Sequence, residues 1–127
     1  MSSQRIFDAN LALAASHAAT ASENGTPLTS FYPDKIDEAC VAVFDVTAVS
    51  GTTPTCAFSI QASNDGGSTW VTIGQINTIN AIGRYEVAWS QLGASALCPG
   101  ADRVRHVATI AGTTPSFTFQ AFLAKIP

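Results

Sequence analysis

The chain carries the same pattern of apolar and polar positions twice. Val43–Ser63 reads VFDVTAVSGTTPTCAFSIQAS, and Val104–Ala124 reads VRHVATIAGTTPSFTFQAFLA. Their Gly-Thr-Thr-Pro segments, Gly51–Pro54 and Gly112–Pro115, align the two copies at a spacing of 61 residues. Each copy is a β-branched run, a Gly/Pro turn and a second run that alternates apolar with polar residues, which predicts a β-hairpin.

The second run of each copy predicts the buried face of its strand. Side chains of a strand point alternately to opposite faces, so the apolar set turns inward and the polar set outward. The predicted core residues are Cys56, Phe58, Ile60 and Ala62 with Phe117, Phe119, Ala121 and Leu123, and the predicted outward residues are Ala57, Ser59, Gln61 and Ser63 with Ser116, Thr118 and Gln120. Neither hairpin can cover its own apolar face, so we expect the two to pack against each other.

The rest of the pattern is typical of an all-β protein. Strands are predicted at 40–49, 55–63, 69–76, 83–89, 103–111 and 116–125, with one or two more from the N-terminal segment. In the strand at 83–89, one face carries Tyr85, Val87 and Trp89 and the other carries Arg84 and Glu86. The predicted fold is a two-sheet antiparallel β-sandwich, jelly-roll-like, with an N-terminal arm.

The first 39 residues differ in composition from the rest of the chain. We divide the chain into an N-terminal arm and edge segment, 1–39, and a β-sandwich domain, 40–127. Leu11, Ala14, Ala15 and Ala18 fall at helical spacing, but Ala-rich helices of this length are marginal alone, so an extended arm or edge strand is an equal alternative. The long connection Gln91–Asp102 is expected to hold a short turn of helix or to cap one end of the sandwich.

Composition narrows the classes of function. Of 127 residues, 46% are hydrophobic and only 12% are charged, about half of the usual charged share. A charge-poor surface of this kind is typical of a protein covered by neighbours in an assembly, and also of many extracellular β-sandwiches. The net charge of -3, with scattered Lys and Arg, argues against nucleic-acid binding. Without an apolar run of about 18 residues, no transmembrane helix is expected, and polar residues interrupt Leu11–Ala21, which argues against a signal peptide.

The cysteines indicate the compartment of synthesis. Cys40, Cys56 and Cys98 are an odd number at irregular spacing, which fits neither a disulfide framework nor a zinc site. Cys56 lies in an inward register and Cys40 opens an apolar run, so we expect both to be buried, reduced thiols. Synthesis in a cytoplasm follows as an expectation.

One recognisable motif lies between the predicted strands at 55–63 and 69–76. Ser63–Trp70 reads SNDGGSTW and matches the Asp box, S-x-D-x-G-x-T-W, which occurs in sialidases and other β proteins. Asp65 is expected to accept hydrogen bonds from the loop backbone, while Gly66 and Gly67 permit positive φ. A sialidase propeller needs several four-stranded blades, so we interpret this single copy as a structural hairpin turn.

Other candidate sites are weak. A calcium site needs six to eight oxygen ligands, and the available carboxylates, Asp65 beside Asn64 or the cluster Asp34, Asp37 and Glu38, are interpreted as loop residues. His17 and His106 have no sequence neighbour that suggests a ligand or a base, and His106 is interpreted as a polar strand residue or an interface contact. Trp70, Tyr85 and Trp89 are either core residues or a platform for a sugar ring. We therefore assign no catalytic, cofactor-binding or metal-binding residue, and we expect a protein that is not an enzyme.

Three segments together resemble small structural proteins of tailed-bacteriophage virions, including capsid decoration (cement) proteins. They are VTAVSGTTPT at Val46–Thr55, FSIQASNDGGSTW at Phe58–Trp70 and RHVATIAGTTPSFTF at Arg105–Phe119. The resemblance covers about Val41 to Leu123, and its motifs belong to hairpins rather than to a functional site. It carries no catalytic residues to this chain.

The resemblance implies a function in the capsid. A cement protein binds at junctions between capsid subunits and stabilises the head, commonly as a trimer or dimer whose modest interfaces add up. The expected partners are the major capsid protein or another virion protein and further copies of this chain, without nucleic acid or membrane, and the expected location is the virion after synthesis in the host cytoplasm. The alternatives are a neck, tail or fibre-base component, or a carbohydrate-binding or host-adhesion module.

Overall fold

The computed structural model describes residues 12–28, 40–76, 78–89, 97–98, 101 and 103–125, and most of these lie in antiparallel β-sheet. This confirms the predicted all-β class. Six strands share one hydrogen-bonded sheet: β1 (Ala12–Ala19), β2 (Glu23–Asn24), β3 (Cys40–Ser63), β4 (Val71–Gln75), β5 (Gly83–Trp89) and β6 (Arg103–Lys125). In this part of the chain, no helix is long and apolar enough to cross a membrane.

Two very long strands, β3 and β6, form the centre of the sheet. They pair with each other from Cys40↔Lys125 at one end to Ser63↔Arg103 at the other. The predicted hairpins at the two Gly-Thr-Thr-Pro segments are therefore wrong. The two runs of each copy do not pair with each other, because the hydrogen-bonding partner of each run is supplied by the other copy.

The Gly-Thr-Thr-Pro segments are sharp corners within continuous strands. Gly51 and Gly112 have φ angles of 114° and 122°, and Thr53 and Thr114 both have φ of 46°. The two corners lie side by side, since a Cβ atom placed on Gly51 would be 2.7 Å from the carbonyl oxygen of Thr114, and one on Gly112 would be 2.8 Å from that of Thr53. Glycine is required at both corners because the opposing backbone leaves no room for a side chain.

Each long strand folds back on itself at its corner. The rings of Phe44 and Phe58 stack with centroids 4.2 Å apart, whereas fourteen residues of straight strand would span about 46 Å. In β6, the rings of His106 and Phe119 lie 5.6 Å apart in the same way. The single sheet is thus folded over, and its two halves pack against each other.

The four shorter strands are also arranged as a repeat, although their sequences do not show one. β4 and β5 precede β6 in the chain and pair with the second and first runs of β3, respectively. β1 and β2 precede β3 and pair with the second and first runs of β6. The two halves of the chain therefore have the same three-part plan, and each half places its short strands beside the long strand of the other.

The core lies between the two halves of the folded sheet. All eight residues predicted to be buried are at most 4% exposed, with the phenylalanines at 0%. One predicted outward residue, Ser63, is also buried, because its hydroxyl group enters the turn that follows β3. A second, small buried cluster of Val41, Val43 and Phe122 lies on the opposite face of the sheet, and Arg84 stacks over the Phe122 ring.

The structure tests part of what the sequence predicts for the cysteines and for the N-terminal residues. Cys56 is a buried free thiol, as predicted, and Cys98 is also buried. The side chain of Cys40 and most of Gln91–Asp102 lie outside the described residues. Residues 12–19 form a strand at the edge of the sheet rather than a helix, which agrees with the edge-strand alternative.

Candidate functional site

Three polar side chains from three different strands meet at one carboxylate oxygen. Nε2 of His17 in β1 lies 2.8 Å from Oε2 of Glu23 in β2. Nε2 of His106 in β6 lies 2.9 Å from the same oxygen. Glu23 therefore joins two histidines that are 89 residues apart in the sequence, and the cluster fastens β1 and β2 to β6.

The backbone around Glu23 is held against β6 by a series of bonds. The hydroxyl of Ser22 accepts a hydrogen bond from the Ile110 backbone N–H at 2.9 Å. Further along, the Gly25 N–H donates to the His106 carbonyl at 2.8 Å, and Leu28 exchanges two backbone bonds with Val104. A Cβ atom on Gly25 would collide with the imidazole of His106, so glycine allows this segment to approach the ring closely.

The contacts of His17 require a positively charged ring. Its Nδ1 lies 2.8 Å from the carbonyl oxygen of Ala15, and its Nε2 faces Glu23. Both partners are acceptors, and an imidazole donates from both nitrogens only when it is protonated. Partial burial opposes the charge, but the bonds to Ala15 and Glu23 outweigh it, so the pKa of His17 is raised.

His106 has the opposite environment. Its side chain is 2% exposed, and Nδ1 is buried without a hydrogen-bond partner in the described structure. Nε2 donates to Glu23, so the neutral ring with its proton on Nε2 fits these contacts. Burial is the main reason that the pKa of His106 is lowered, and the nearby charge of His17 adds to this effect.

Glu23 stays ionised between the two histidines. Its partial burial works against the charge, but hydrogen bonds from His106 and His17 lower the pKa of the carboxyl group below its ordinary value. The negative charge is also felt at Cys56, where burial, with a contribution from Glu23, raises the pKa of the thiol to about 12. At the ordinary histidine pKa of about 6.5, the cluster is thus an imidazolium, a carboxylate and a neutral imidazole.

The cluster borders an open groove of about 350 Å³ between β1 and the segment that follows β2. The groove is lined by residues 13–17 and 23–26 and by His106, so all three members of the cluster border it. Among the described residues, no group of three or more His, Cys, Asp or Glu side chains is arranged to hold a metal ion. The Nε2 atoms of both histidines are instead hydrogen-bonded to the carboxylate of Glu23.

His106 occupies the position that Phe44 occupies in the other half of the fold. Phe58 and Phe119 correspond at the 61-residue spacing, and each packs against a ring from the first run of its own strand. Thr47 is an extra residue in β3, where Val46 pairs with Phe119 but Ala48 pairs with the next residue, Thr118. For residues of β3 that precede Thr47, corresponding positions of the two copies are therefore 62 residues apart, so Phe44 corresponds to His106.

The Asp box has the structural role that the sequence predicts. It joins β3 to β4, and Oδ1 of Asp65 accepts bonds from the backbone N–H groups of Ser68 and Thr69 at 3.1 and 3.0 Å. Oδ2 accepts a bond from the Thr69 hydroxyl at 2.6 Å. The Ser63 hydroxyl donates to Oδ1 of Asp65 and accepts a bond from the Gly67 N–H, so the carboxylate is used within the turn.

The aromatic residues that were candidates for a sugar platform have other contacts. The guanidinium carbon of Arg105 lies 4.1 Å from the centroid of the Trp70 ring, and Arg105 also donates two bonds to the Gln61 side chain. Tyr85 packs against the core and donates to the Ala81 carbonyl. The side chain of Trp89 lies outside the described residues, as do Asp34, Asp37 and Glu38 of the candidate acidic cluster.

The histidine cluster is the part of the site that the sequence did not predict. His106 does lie in a strand, as predicted, but its burial in the core was not predicted. One signal was available, since Val104, His106 and Ala108 alternate in the same register as a core face. Glu23 had no such signal, because its approach depends on how residues 12–28 run along β6.

Comparison of this chain with protein-family models, with curated proteins and with solved structures finds no match.

Proposed function

We propose that this chain is a structural protein of a virion, most specifically a capsid decoration protein that binds at junctions between capsid subunits. The resemblance of Val46–Thr55, Phe58–Trp70 and Arg105–Phe119 to small phage virion proteins is one support. The finer features of the fold belong to the same proposal: a jelly-roll-like sandwich of two sheets, with an N-terminal arm.

The observation that carries the proposal is that the segments of β3 and β6 around the two corners carry no charged side chain. Residues 47–64 and 107–124 contain no Asp, Glu, Lys, Arg or His. Pairing of β3 with β6 brings the corners of these two stretches together, and Thr52, Thr53, Thr113 and Thr114 are exposed there. We call this surface, formed by residues 51–55 and 112–115, the threonine corner.

An uncharged polar surface of this kind suits close packing against another protein. Charged side chains are depleted at the buried centres of protein interfaces, because removing a charge from water is costly. The nearest charges along the strands, Asp45 and Arg105, are bound to Arg84 and Gln61 by side-chain hydrogen bonds. Contact through the threonine corner therefore does not bury a charge that lacks a hydrogen-bonded side-chain partner.

The proposed assembly contains many copies. A dimer or trimer of this chain would present several threonine corners to the capsid, so that weak individual contacts add up. The partners in this proposal are the major capsid protein or another virion protein, with no role for nucleic acid or membrane, and the chain is made in the host cytoplasm before it joins the virion. The proposal assigns no catalytic step and no cofactor.

Copy number in purified particles provides the first test. We expect quantitative mass spectrometry to find the chain in amounts comparable to the major capsid protein. A few copies for each particle would instead identify a neck, tail or fibre-base component. Complete absence from particles, together with measurable affinity in a glycan-binding assay, would replace the proposal with the carbohydrate-binding alternative.

Binding to particles that lack the chain provides the second test. Thr52→Lys places a charge in the threonine corner, and Thr72→Lys places the same charge on exposed β4 as a matched control. We expect co-sedimentation of Thr52→Lys to fall at least tenfold while Thr72→Lys binds like the unaltered protein. Equal binding of the two variants would show that another surface attaches the protein.

A further inference from the structure

The two halves of the fold solve the same packing problem in different ways. In one half, Phe44 fills its position with an apolar ring stacked on Phe58. In the other half, the corresponding His106 packs edge-on against Phe119 and bonds to Glu23. Since the apolar solution serves the same fold elsewhere in the same molecule, a buried polar ring is not required for packing.

The polar solution also has a cost that depends on protonation. Nδ1 of His106 faces the backbone of Gly25 and has no acceptor there among the described residues. A proton on Nδ1 would create a buried charge with an unsatisfied donor, which is strongly unfavourable. Once the segment around Glu23 and Gly25 moves away, water can solvate that proton.

We propose that His17, Glu23 and His106 form a proton-operated latch, which holds β1 and β2 against β6 near neutral pH and releases them as His106 takes up a proton. In the closed state, the Glu23 carboxylate accepts a bond from each ring. In the released state, both rings carry a charge in water and β6 exposes its edge. This inference concerns the isolated chain and does not depend on capsid binding.

The direction of the pH effect follows from the groups that face His106. From β1 it meets His17, and from β2 it meets Glu23, while Phe44 from β3 and Phe119 from β6 are apolar. Cys56, another titratable group near Glu23 in the described part of the chain, keeps its proton because its pKa is raised to about 12. Below its ordinary pKa, His17 is charged in both the closed and the released state, so it takes up no proton on release. Between that pH and the lower pH at which Glu23 becomes protonated, the pH dependence of release is therefore set by His106.

One proton taken up on release gives a defined slope. The pKa of His106 is lowered in the closed state, so release is favoured as pH falls below the ordinary histidine pKa of about 6.5. The released fraction should then rise about tenfold for each pH unit until His106 also titrates in the closed state. The short strands of the other half, β4 and β5, have no histidine and should not respond.

Hydrogen exchange measured by mass spectrometry tests the latch in the full chain. Protection factors, corrected for the effect of pH on intrinsic exchange, are compared between peptides covering 12–28 and peptides covering 71–89. We expect protection of 12–28 to fall by about tenfold for each pH unit below 6.5, while 71–89 changes by less than about twofold. Unchanged protection of 12–28 between pH 7 and pH 5 would overturn the proposal.

The matched variant is His106→Phe, which installs the residue of the other half. It should abolish the pH response of 12–28, and a response that persists would assign it to another group. If this variant fails to fold, nitrogen-15 NMR of the unaltered protein decides the question. A neutral His106 with its proton on Nε2 and a pKa below 6.5 supports the latch, whereas a proton on Nδ1 or a higher pKa contradicts it.

Discussion

Phe44 and His106 hold corresponding positions in the two halves of the sheet, and their rings meet edge to face with centroids 6.5 Å apart. The repeat therefore places an apolar ring and a titratable ring in mutual contact within the core. Phe44 makes its half insensitive to protons. His106 makes the other half respond to them, through Glu23 and His17.

The two histidines should give opposite slopes to the dependence of stability on pH. The pKa of His17 is raised on folding, so its contribution is complete below the ordinary value of 6.5 and is lost as pH rises through the raised value. The pKa of His106 is lowered, so folding becomes less favourable as pH falls below 6.5. Together these residues favour a maximum near pH 6.5.

Urea unfolding from pH 5 to pH 8 measures these slopes. We expect His17→Asn to flatten the dependence above pH 6.5 and His106→Phe to flatten it below pH 6.5. Variants that both alter the same side of the curve would contradict the assigned protonation states.

Phe119 should be among the most sensitive residues of the core. It is fully buried, and its ring contacts those of Phe58, Phe44, His106 and His17. Phe119→Ala removes these contacts and leaves a cavity, so we expect the free energy of unfolding to fall by about 3–5 kcal/mol. The adjacent Thr118→Ala, on the other face of β6, should cost no more than about 0.5 kcal/mol in the same denaturation assay.

Glycines at the corners should be less replaceable than a glycine in an open turn. Gly66 has φ of 78° and no atom within 4 Å of the position that a Cβ would take, whereas Gly51 combines φ of 114° with the nearby Thr114 carbonyl. Gly66→Ala should cost about 1 kcal/mol for the backbone conformation alone. Gly51→Ala and Gly112→Ala should each cost clearly more than Gly66→Ala, because a clash is added, and calorimetry should rank the three accordingly.

The Asp box should tolerate acid but not loss of its carboxylate. Hydrogen bonds from Thr69, Ser63 and Ser68 hold the pKa of Asp65 well below its ordinary value. Its contribution to stability is therefore complete at neutral pH, begins to fall below the ordinary carboxyl pKa and is lost by the time pH reaches the lowered pKa. We expect Asp65→Ala to lower the melting temperature and to increase hydrogen exchange in residues 60–73.

Two variants separate the parts of this turn. Thr69→Val removes the hydroxyl that bonds to Oδ2 and should lower the melting temperature less than Asp65→Ala. Ser68 contributes only its backbone N–H to Asp65, so Ser68→Ala should melt like the unaltered protein. A large effect of Ser68→Ala would show that its hydroxyl has a role in the turn.

The alternation along each strand predicted most of the core, because burial on one face of a strand imposes a period of two whatever the strand pairs with. Phe58 and Phe117 are buried for this reason. The same local pattern could not predict the partner of each strand. A Gly-Thr-Thr-Pro segment reads as a hairpin turn, yet Gly51 and Gly112 form corners, and that distinction depends on contacts between residues 61 apart.

The histidine cluster was beyond sequence reasoning for a related reason. His17 and Glu23 are close in the chain, but His106 reaches them only after β6 has paired with both β1 and β2. The Asp box was predictable because the hydrogen bonds of Asp65 join it to Ser63, Ser68 and Thr69 within the same short motif. A short sequence motif is enough to predict local hydrogen bonds, whereas the histidine cluster forms only when β1, β2 and β6 have paired.

The exchange of short strands between the two halves gives the molecule the topology of a strand-swapped homodimer whose subunits have been joined into one chain. A single half contains one long strand and two short strands. None of these three strands has a hydrogen-bonding partner strand within the same half. Half-length chains are therefore expected to fold only by associating in pairs. The covalent link turns that association into an intramolecular event, and it also allows the two halves to differ in sequence, as Phe44 and His106 do.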